Sequence, residues 1–214
     1  MFENEKQELI NFGIKVFREG LVQGTGGNLS LRVGEEGQFY LITPSGMDYN
    51  NTHVDDIVVM DMDGKVIEGN RKPSIEHSMH RGIFKKRKDI NAIIHTHSLY
   101  SMAMSLARQP LPMTDSAIVF MGGQIEVAEY ARHGSQELAD NVVTALGNRK
   151  AAIMANHGMI AVDVTLQKAL KVCVGMENSS RMYILARVLG KVTPISDEQA
   201  QELRDYISSS YGQK

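Results

Sequence analysis

The segment Asn91-Ala92-Ile93-Ile94-His95-Thr96-His97-Ser98 places two imidazoles two residues apart behind an apolar run. In an extended strand, side chains alternate between faces, so His95 and His97 point the same way. Lying roughly 6–7 Å apart along the strand, they can close on one ion at Zn–N distances near ~2.0–2.1 Å. The same spacing also fits two unrelated strand histidines, so further ligands must decide. Asn156-His157-Gly158 breaks the otherwise apolar stretch Ala151–Val162. A polar ring in such a run costs stability unless it is bonded or ligating. His157 therefore makes sense as a third ligand from a neighbouring strand. Glu76 falls in the first turn of a helix expected to start near Pro73-Ser74. A carboxylate beside a helix N-terminus is favourable for structural reasons alone, and it is also a candidate acid/base. Gly24-Thr25-Gly26-Gly27-Asn28 is a glycine-dense turn whose N–H groups can converge on an anion, although a plain turn has the same composition. No Gly-Lys-Ser/Thr follows it, and it precedes a strand, which excludes a Walker loop and a dinucleotide fingerprint.

The elements that must position these groups follow from periodicity. Leu9, Phe12, Val16 and Phe17 recur at helical spacing, predicting a helix over 3–19 that stops at Gly20. The glycine-dense turn from Gly24 runs into an alternating strand reaching Arg32. Further strands are predicted at Phe39–Ile42 and Ile57–Asp61, the last turning at Asp63-Gly64 into a return strand at Lys65–Glu68. Thr43-Pro44-Ser45-Gly46 forms a second small-residue turn. The helix from Pro73-Ser74 runs through Lys86, and the basic run Lys85-Lys86-Arg87-Lys88 suits its C-terminus. Beyond the His95/His97 strand, a short helix covers Tyr100–Arg108. Pro110 and Pro112 bracket a linker, and Ile125–Ala128 is a weak strand. Ser135 caps a helix to Asn148, residues 151–162 form a strand pair, and a long helix spans 165–189. Ser196-Asp197-Glu198-Gln199 is a capping box opening a final helix.

Composition narrows the classes. A chain of 214 residues, 43% hydrophobic and 22% charged, suits one compact globular domain with a substantial core. A formal net charge of −2 gives no electrostatic reason to expect nucleic acid or an anionic membrane as partner. No apolar run approaches the ~20 residues of a membrane span. Cys173 is the single cysteine, so no intramolecular disulfide forms, and with no leader-like pattern at the start a reducing cytoplasm is the expected location.

Taken in order, Gly27-Asn28, Ser45-Gly46, Ser74-x-Glu76, His95-x-His97 and Asn156-His157-Gly158 resemble the class II (metal-dependent) aldolase family of the fuculose-1-phosphate aldolase type. That family also holds ribulose-5-phosphate 4-epimerases, methylthioribulose-1-phosphate dehydratases and the non-catalytic adducin head domain. The resemblance covers about residues 5–190. It implies a three-layer α/β/α sandwich with a central, largely antiparallel sheet. It also implies a C4 tetramer with its site at a subunit interface, and a phosphorylated sugar as substrate. By the same resemblance, His95, His97 and His157 hold Zn²⁺, or in some members Mn²⁺ or another divalent ion. Glu76 is the acid/base. Gly27, Asn28, Ser45, Gly46 and Ser74, with Thr25 beside them, hold the phosphate. The chemistry agrees: three neutral imidazoles leave the ion its full charge and an open position. Zinc moves the pKa of bound water from 15.7 to about 7, a scale of ~12 kcal/mol on which an enediolate could draw.

The sequence departs from the pattern in places. Fuculose-1-phosphate aldolases carry Ser-Ser-Glu where this chain has Ser74-Ile75-Glu76, so one phosphate hydroxyl is missing. Their leaving-group tyrosine aligns near Ser116, with Asp115 or Tyr130 as substitutes, and their tail tyrosine corresponds to Tyr211 or Tyr206. An aldolase of a short ketose-1-phosphate is the expected activity. A dehydratase would use the same triad and Glu76. An epimerase usually has Asp at position 76 and a second Asp near Ile118, and an adducin-like module would lack the metal ligands.

Overall fold

The computed structural model describes residues 1–210. Eight strands form one sheet: β1 (Asn28–Val33), β2 (Phe39–Ile42), β3 (Val58–Asp61), β4 (Val66–Glu68), β5 (Ala92–Thr96), β6 (Val127–Ala128), β7 (Ala151–Met154) and β8 (Gly158–Asp163). Their order is β4-β3-β2-β1-β5-β8-β7-β6. Every neighbouring pair is antiparallel except β6 with β7.

Helices cover both faces. On one side α1 (Glu3–Arg18), α3 (Leu99–Ala107) and the long α6 (Leu166–Leu189) enclose a core that includes Leu9, Leu29, Ile94 and Cys173. On the other, α2 (His77–Lys86) and α5 (Gln136–Leu146) cover Ile42, Ile93, Ile160 and Val162. Adjacent Ile93 and Ile94 thus enter different cores, as strand alternation requires, and each is fully buried. The chain is the expected mixed α/β sandwich around a largely antiparallel sheet. Burial also raises the Cys173 thiol far above its usual range, which marks it as core material. None of the described helices is long and apolar enough to cross a membrane.

Three differences from the sequence expectation affect the site. The helix expected from Pro73-Ser74 begins at His77. Residues 74–76 form a turn in which Ser74 Oγ accepts the Glu76 N–H at 3.2 Å. Glu76 therefore occupies the N-cap position of α2, yet its carboxylate caps nothing there. Second, the segment after Pro112 contains a short helix, α4 (Ser116–Phe120). Its N-cap Asp115 accepts the N–H groups of Ala117 and Ile118 at 2.8 and 3.4 Å. Third, the weak strand at 125–128 shortens to β6, with Ile125 making an isolated bridge to Leu111. The last helix, α7 (Asp197–Ser210), opens on the predicted reciprocal pair: Ser196 N–H donates to Gln199 Oε1 and Gln199 N–H to Ser196 Oγ.

Candidate active site

The cross-strand register explains why distant residues meet. Asn28 lies opposite His95 in the β1–β5 ladder and Ser30 opposite Ile93, so Asn28, Ser30 and His95 all face α2. His97 follows the end of β5, and His157 sits in the turn between β7 and β8. That turn is fixed by Ser105, whose hydroxyl donates to the Met154 carbonyl at 2.6 Å and accepts the His157 N–H at 2.9 Å. Two glycines permit the close approach. Gly158 has φ +154°, and a Cβ there would collide with the Thr96 carbonyl and the His97 ring. At Gly27, φ +72°, a Cβ would lie 2.5 Å from the His95 carbonyl oxygen. Substitution at either position would spread the site.

The three predicted ligands converge. Ring centroids of His95, His97 and His157 are 4.7, 4.8 and 5.3 Å apart, and His97 Nε2 lies 2.9 Å from His95 Nε2. Glu76 closes the fourth side, with Oε2 3.3 Å from His95 Nε2 and Oε1 3.0 Å from His157 Nε2. His95 Nδ1–H donates to the Met159 carbonyl at 2.9 Å, so its Nε2 carries a lone pair turned into the cluster. Burial holds the His95 ring down to about 3 and lowers His97 as well; both are neutral near pH 7. Burial alone would raise the Glu76 carboxyl. The imidazoles of His95 and His157 and the Asn28 amide outweigh it and hold Glu76 below the usual carboxylate range.

A divalent cation fits this donor set. Neither ring nitrogen of His157 has a hydrogen-bond partner, nor has Glu76 Oε1, because their 3.0 Å approach lacks hydrogen-bond geometry. Converging ring nitrogens of His95, His97 and His157 beside one carboxylate form a donor set that a divalent cation would satisfy.

Beside the cluster opens a cleft of about 200 Å³, lined by Thr25–Asn28, Pro44–Gly46, Ser74–Glu76, His97, His133 and His157. The three predicted small-residue segments thus share one wall. Their loops are joined by backbone pairing of Pro44 with Pro73 and by the Ser74 N–H to the Thr43 carbonyl at 3.1 Å. A larger cavity, about 300 Å³ between α4 and α6, contains Lys150, Lys168 and Lys171 but none of these groups.

Residues 7–184 match the model of the class II aldolase and adducin N-terminal domain. The chain belongs to that family. It is an enzyme of the class II aldolase type, a lyase. Among its relatives, the 5-deoxy-D-ribulose 1-phosphate aldolase of Bacillus thuringiensis serovar kurstaki is 35% identical over 214 residues, 100% of both chains. The L-fuculose phosphate aldolase of Escherichia coli (strain K12) is 36% identical over 195 residues, 90% of this chain and 89% of that one. A solved L-fuculose 1-phosphate aldolase superposes with TM-score 0.91 at 40% identity, covering 95% of each chain.

In this class II aldolase the aldehyde-side candidates lie away from the cleft of their own chain. Asp115 is engaged in capping α4 and Ser116 begins that helix. Tyr130 is exposed without lining the cleft, and Tyr206 is exposed on α7. Tyr211 falls outside the described residues. Two functional candidates escaped the sequence reading. His133 stacks on His157 at 3.7 Å and 15°; no spacing motif links it to the triad. His80 is fully buried and bonded to Asn28. Its i, i+4 relation to Glu76 was the available signal.

Proposed function

We propose that the chain is a divalent-metal-dependent aldolase. It cleaves a ketose-1-phosphate reversibly to dihydroxyacetone phosphate and a short aldehyde. The observation that carries this reading is a single cleft that joins an ionised carboxylate and three converging imidazoles to an N–H- and hydroxyl-rich wall. A Zn²⁺ or Mn²⁺ ion on His95, His97 and His157 would act as a Lewis acid, drawing electron density from the substrate's oxygens as the C3–C4 bond breaks. Glu76 handles the proton at C3. In synthesis it removes that proton from dihydroxyacetone phosphate. In cleavage the C4 hydroxyl loses its proton as it becomes the aldehyde carbonyl, and the C3–C4 electron pair settles on C3. Glu76, having taken up one proton, delivers it to C3, so that the net transfer is one proton from the C4 oxygen to C3. Gly27, Asn28, Ser45, Gly46 and Ser74, with Thr25, hold the phosphate through N–H and hydroxyl donors. Ile75 leaves that wall one hydroxyl short of the fuculose-1-phosphate pattern.

The protein works as a cytoplasmic homo-oligomer, a tetramer by family pattern, whose neighbouring copies complete the aldehyde side. Met182, Leu185, Val188 and Leu189 support this, being exposed large apolar side chains along α6. Asp115, Ser116 and Tyr211 are the residues to test there.

The deciding experiment incubates metal-loaded protein with dihydroxyacetone phosphate and an aldehyde panel and identifies the products. Condensation with acetaldehyde gives a 5-deoxypentulose-1-phosphate, and with lactaldehyde a 6-deoxyhexulose-1-phosphate. Preference between them names the substrate. Absence of carbon–carbon bond formation, with water loss from a ketose-1-phosphate, would replace the aldolase by a dehydratase.

A further inference from the structure

We propose that His80 is a positioning residue for Glu76, acting through Asn28. A buried chain of hydrogen bonds links four side chains from β1, α2 and the turn before it. Ser30 Oγ lies 2.6 Å from His80 Nδ1, His80 Nε2 lies 2.6 Å from Asn28 Oδ1, and Asn28 Nδ2 lies 2.8 Å from Glu76 Oε2. Ser30 and His80 are completely enclosed, and Asn28 and Glu76 are 5% exposed, so water cannot replace any link.

The direction of the chain follows from its end. An ionised carboxylate only accepts, so Asn28 must present its NH2 to Glu76 and its oxygen to His80. His80 Nε2 must then carry the proton, which leaves Nδ1 to accept from the Ser30 hydroxyl. Turning the amide over would set its oxygen against the carboxylate and its NH2 against the His80 donor. Burial pushes the His80 ring down to about 4, so the neutral, single-tautomer form holds at neutral pH.

Space filling does not account for this arrangement. The two residues opposite Ser30 in the flanking strands, Ile42 and Ile93, belong to the apolar core under α2, as do Met79 and Ile83. A leucine at position 80 would suit that core better than an imidazole. What the imidazole adds is a fixed orientation of the Asn28 amide. The amide pins Oε2 of Glu76 and leaves Oε1, without a hydrogen-bond partner, as the oxygen that meets substrate. The catalytic consequence rests on the reading of Glu76 as the base at C3; the direction of the hydrogen bonds does not.

The test combines kinetics and spectroscopy. His80→Leu should lower the turnover of α-proton exchange from dihydroxyacetone phosphate roughly 10- to 30-fold at unchanged metal content, about one charge-assisted hydrogen bond's worth. His80→Gln, whose amide NH2 can reach the Asn28 oxygen, should recover most of that loss. Ser30→Ala, which only frees Nδ1 and removes little volume, should cost a few-fold and serves if His80→Leu does not fold. Wild-type exchange in His80→Leu and Ser30→Ala would overturn the proposal, and so would equal damage in the Gln and Leu variants. In metal-free protein with ¹⁵N-labelled histidine, His80 should show a protonated Nε2 and a bare Nδ1. The opposite tautomer overturns the assignment. A wild-type protein that exchanges no proton would remove the aldolase reading, while the ring nitrogens would still judge the hydrogen-bond chain.

Discussion

Strand β1 presents two environments in alternate residues. Leu29 and Leu31 enter the core beneath α1 and α6, whereas Asn28 and Ser30, on the opposite face, meet α2. Under α1 and α6 the requirement is volume: apolar side chains packed without gaps, where one shape can substitute for another at modest cost. Under α2 the requirement is direction, since each donor has one acceptor and a wrong orientation leaves a buried group unpaired. The two faces should therefore fail differently. The apolar face should lose stability while its folded molecules keep full activity. The polar face should lose activity out of proportion to stability.

The largest expected effect is on the polar face. Glu76→Gln should keep metal and fold yet lose α-proton exchange from dihydroxyacetone phosphate by about 10²–10⁴-fold, the range for a positioned acid/base. Exchange at the normal rate would move the base elsewhere and leave the polar face with no catalytic role. On the apolar face, Leu29→Ala should destabilise by ~2–5 kcal/mol, since the fully buried side chain leaves a cavity in a close-packed region. Denaturant unfolding measures this. The sharper readout is turnover per folded, metal-loaded molecule, which should match the wild type.

The same division separates what was legible in the sequence from what was not. Period-3.6 spacing and short apolar runs bounded by turn residues report burial, so α1, α6 and the strands through Ile42, Ile94 and Ile160 could be read from apolar residues, and α5 from its Ser135 cap. The triad was visible because His95 and His97 share a strand face and His157 breaks an apolar run. Hydrogen-bond partnerships leave no periodic trace. Ser30 and His80 are 50 residues apart, and Asn28 and Glu76 48, so only the fold brings them together. The start of α2 was misplaced for a related reason. Pro73-Ser74 is a good helix-opening signal, but Ser74 uses its hydroxyl on the Glu76 N–H to close a turn, and Glu76 is drawn away to the imidazoles. His133 went unnoticed because one exposed histidine on a loop resembles any other until it is found stacked on His157.

Acid should distinguish the faces without a change of active-site chemistry. His80 titrates near 6.5 when unfolded and about 4 in the fold, burial being the main cause. Below pH 6.5 the unfolded chain binds a proton that the folded one refuses, so stability falls as pH drops from about 6.5 towards 4. Above 6.5 both states are neutral and this contribution vanishes. The full span is worth ~3 kcal/mol. Thermal unfolding of metal-free protein at pH 7 and pH 5 should therefore show a smaller acid loss in His80→Leu than in the wild type. In Leu29→Ala the loss should be undiminished. Equal losses in all three would mean that the buried imidazole takes up its proton within the fold.

The smallest expected effect lies far from the cleft, where β4 meets α1. Glu68 accepts from the buried Lys6 ammonium at 2.6 Å and from the N-terminal amine at 2.7 Å. These contacts hold its carboxyl below the usual range against a weaker opposing push from burial. The stability this adds is present above the ordinary carboxylate pKa and is lost as pH falls through the lowered one. Glu68→Gln should cost about 1 kcal/mol at pH 7, because it replaces the carboxylate partner of Lys6, which is 3% exposed, by a neutral acceptor. Half-exposure of the amine and partial exposure of Glu68 keep the figure low. Aldolase turnover should be unaffected. A turnover loss as large as that of His80→Leu would show that the sheet edge and the cleft are coupled, and the two-face description would have to be abandoned.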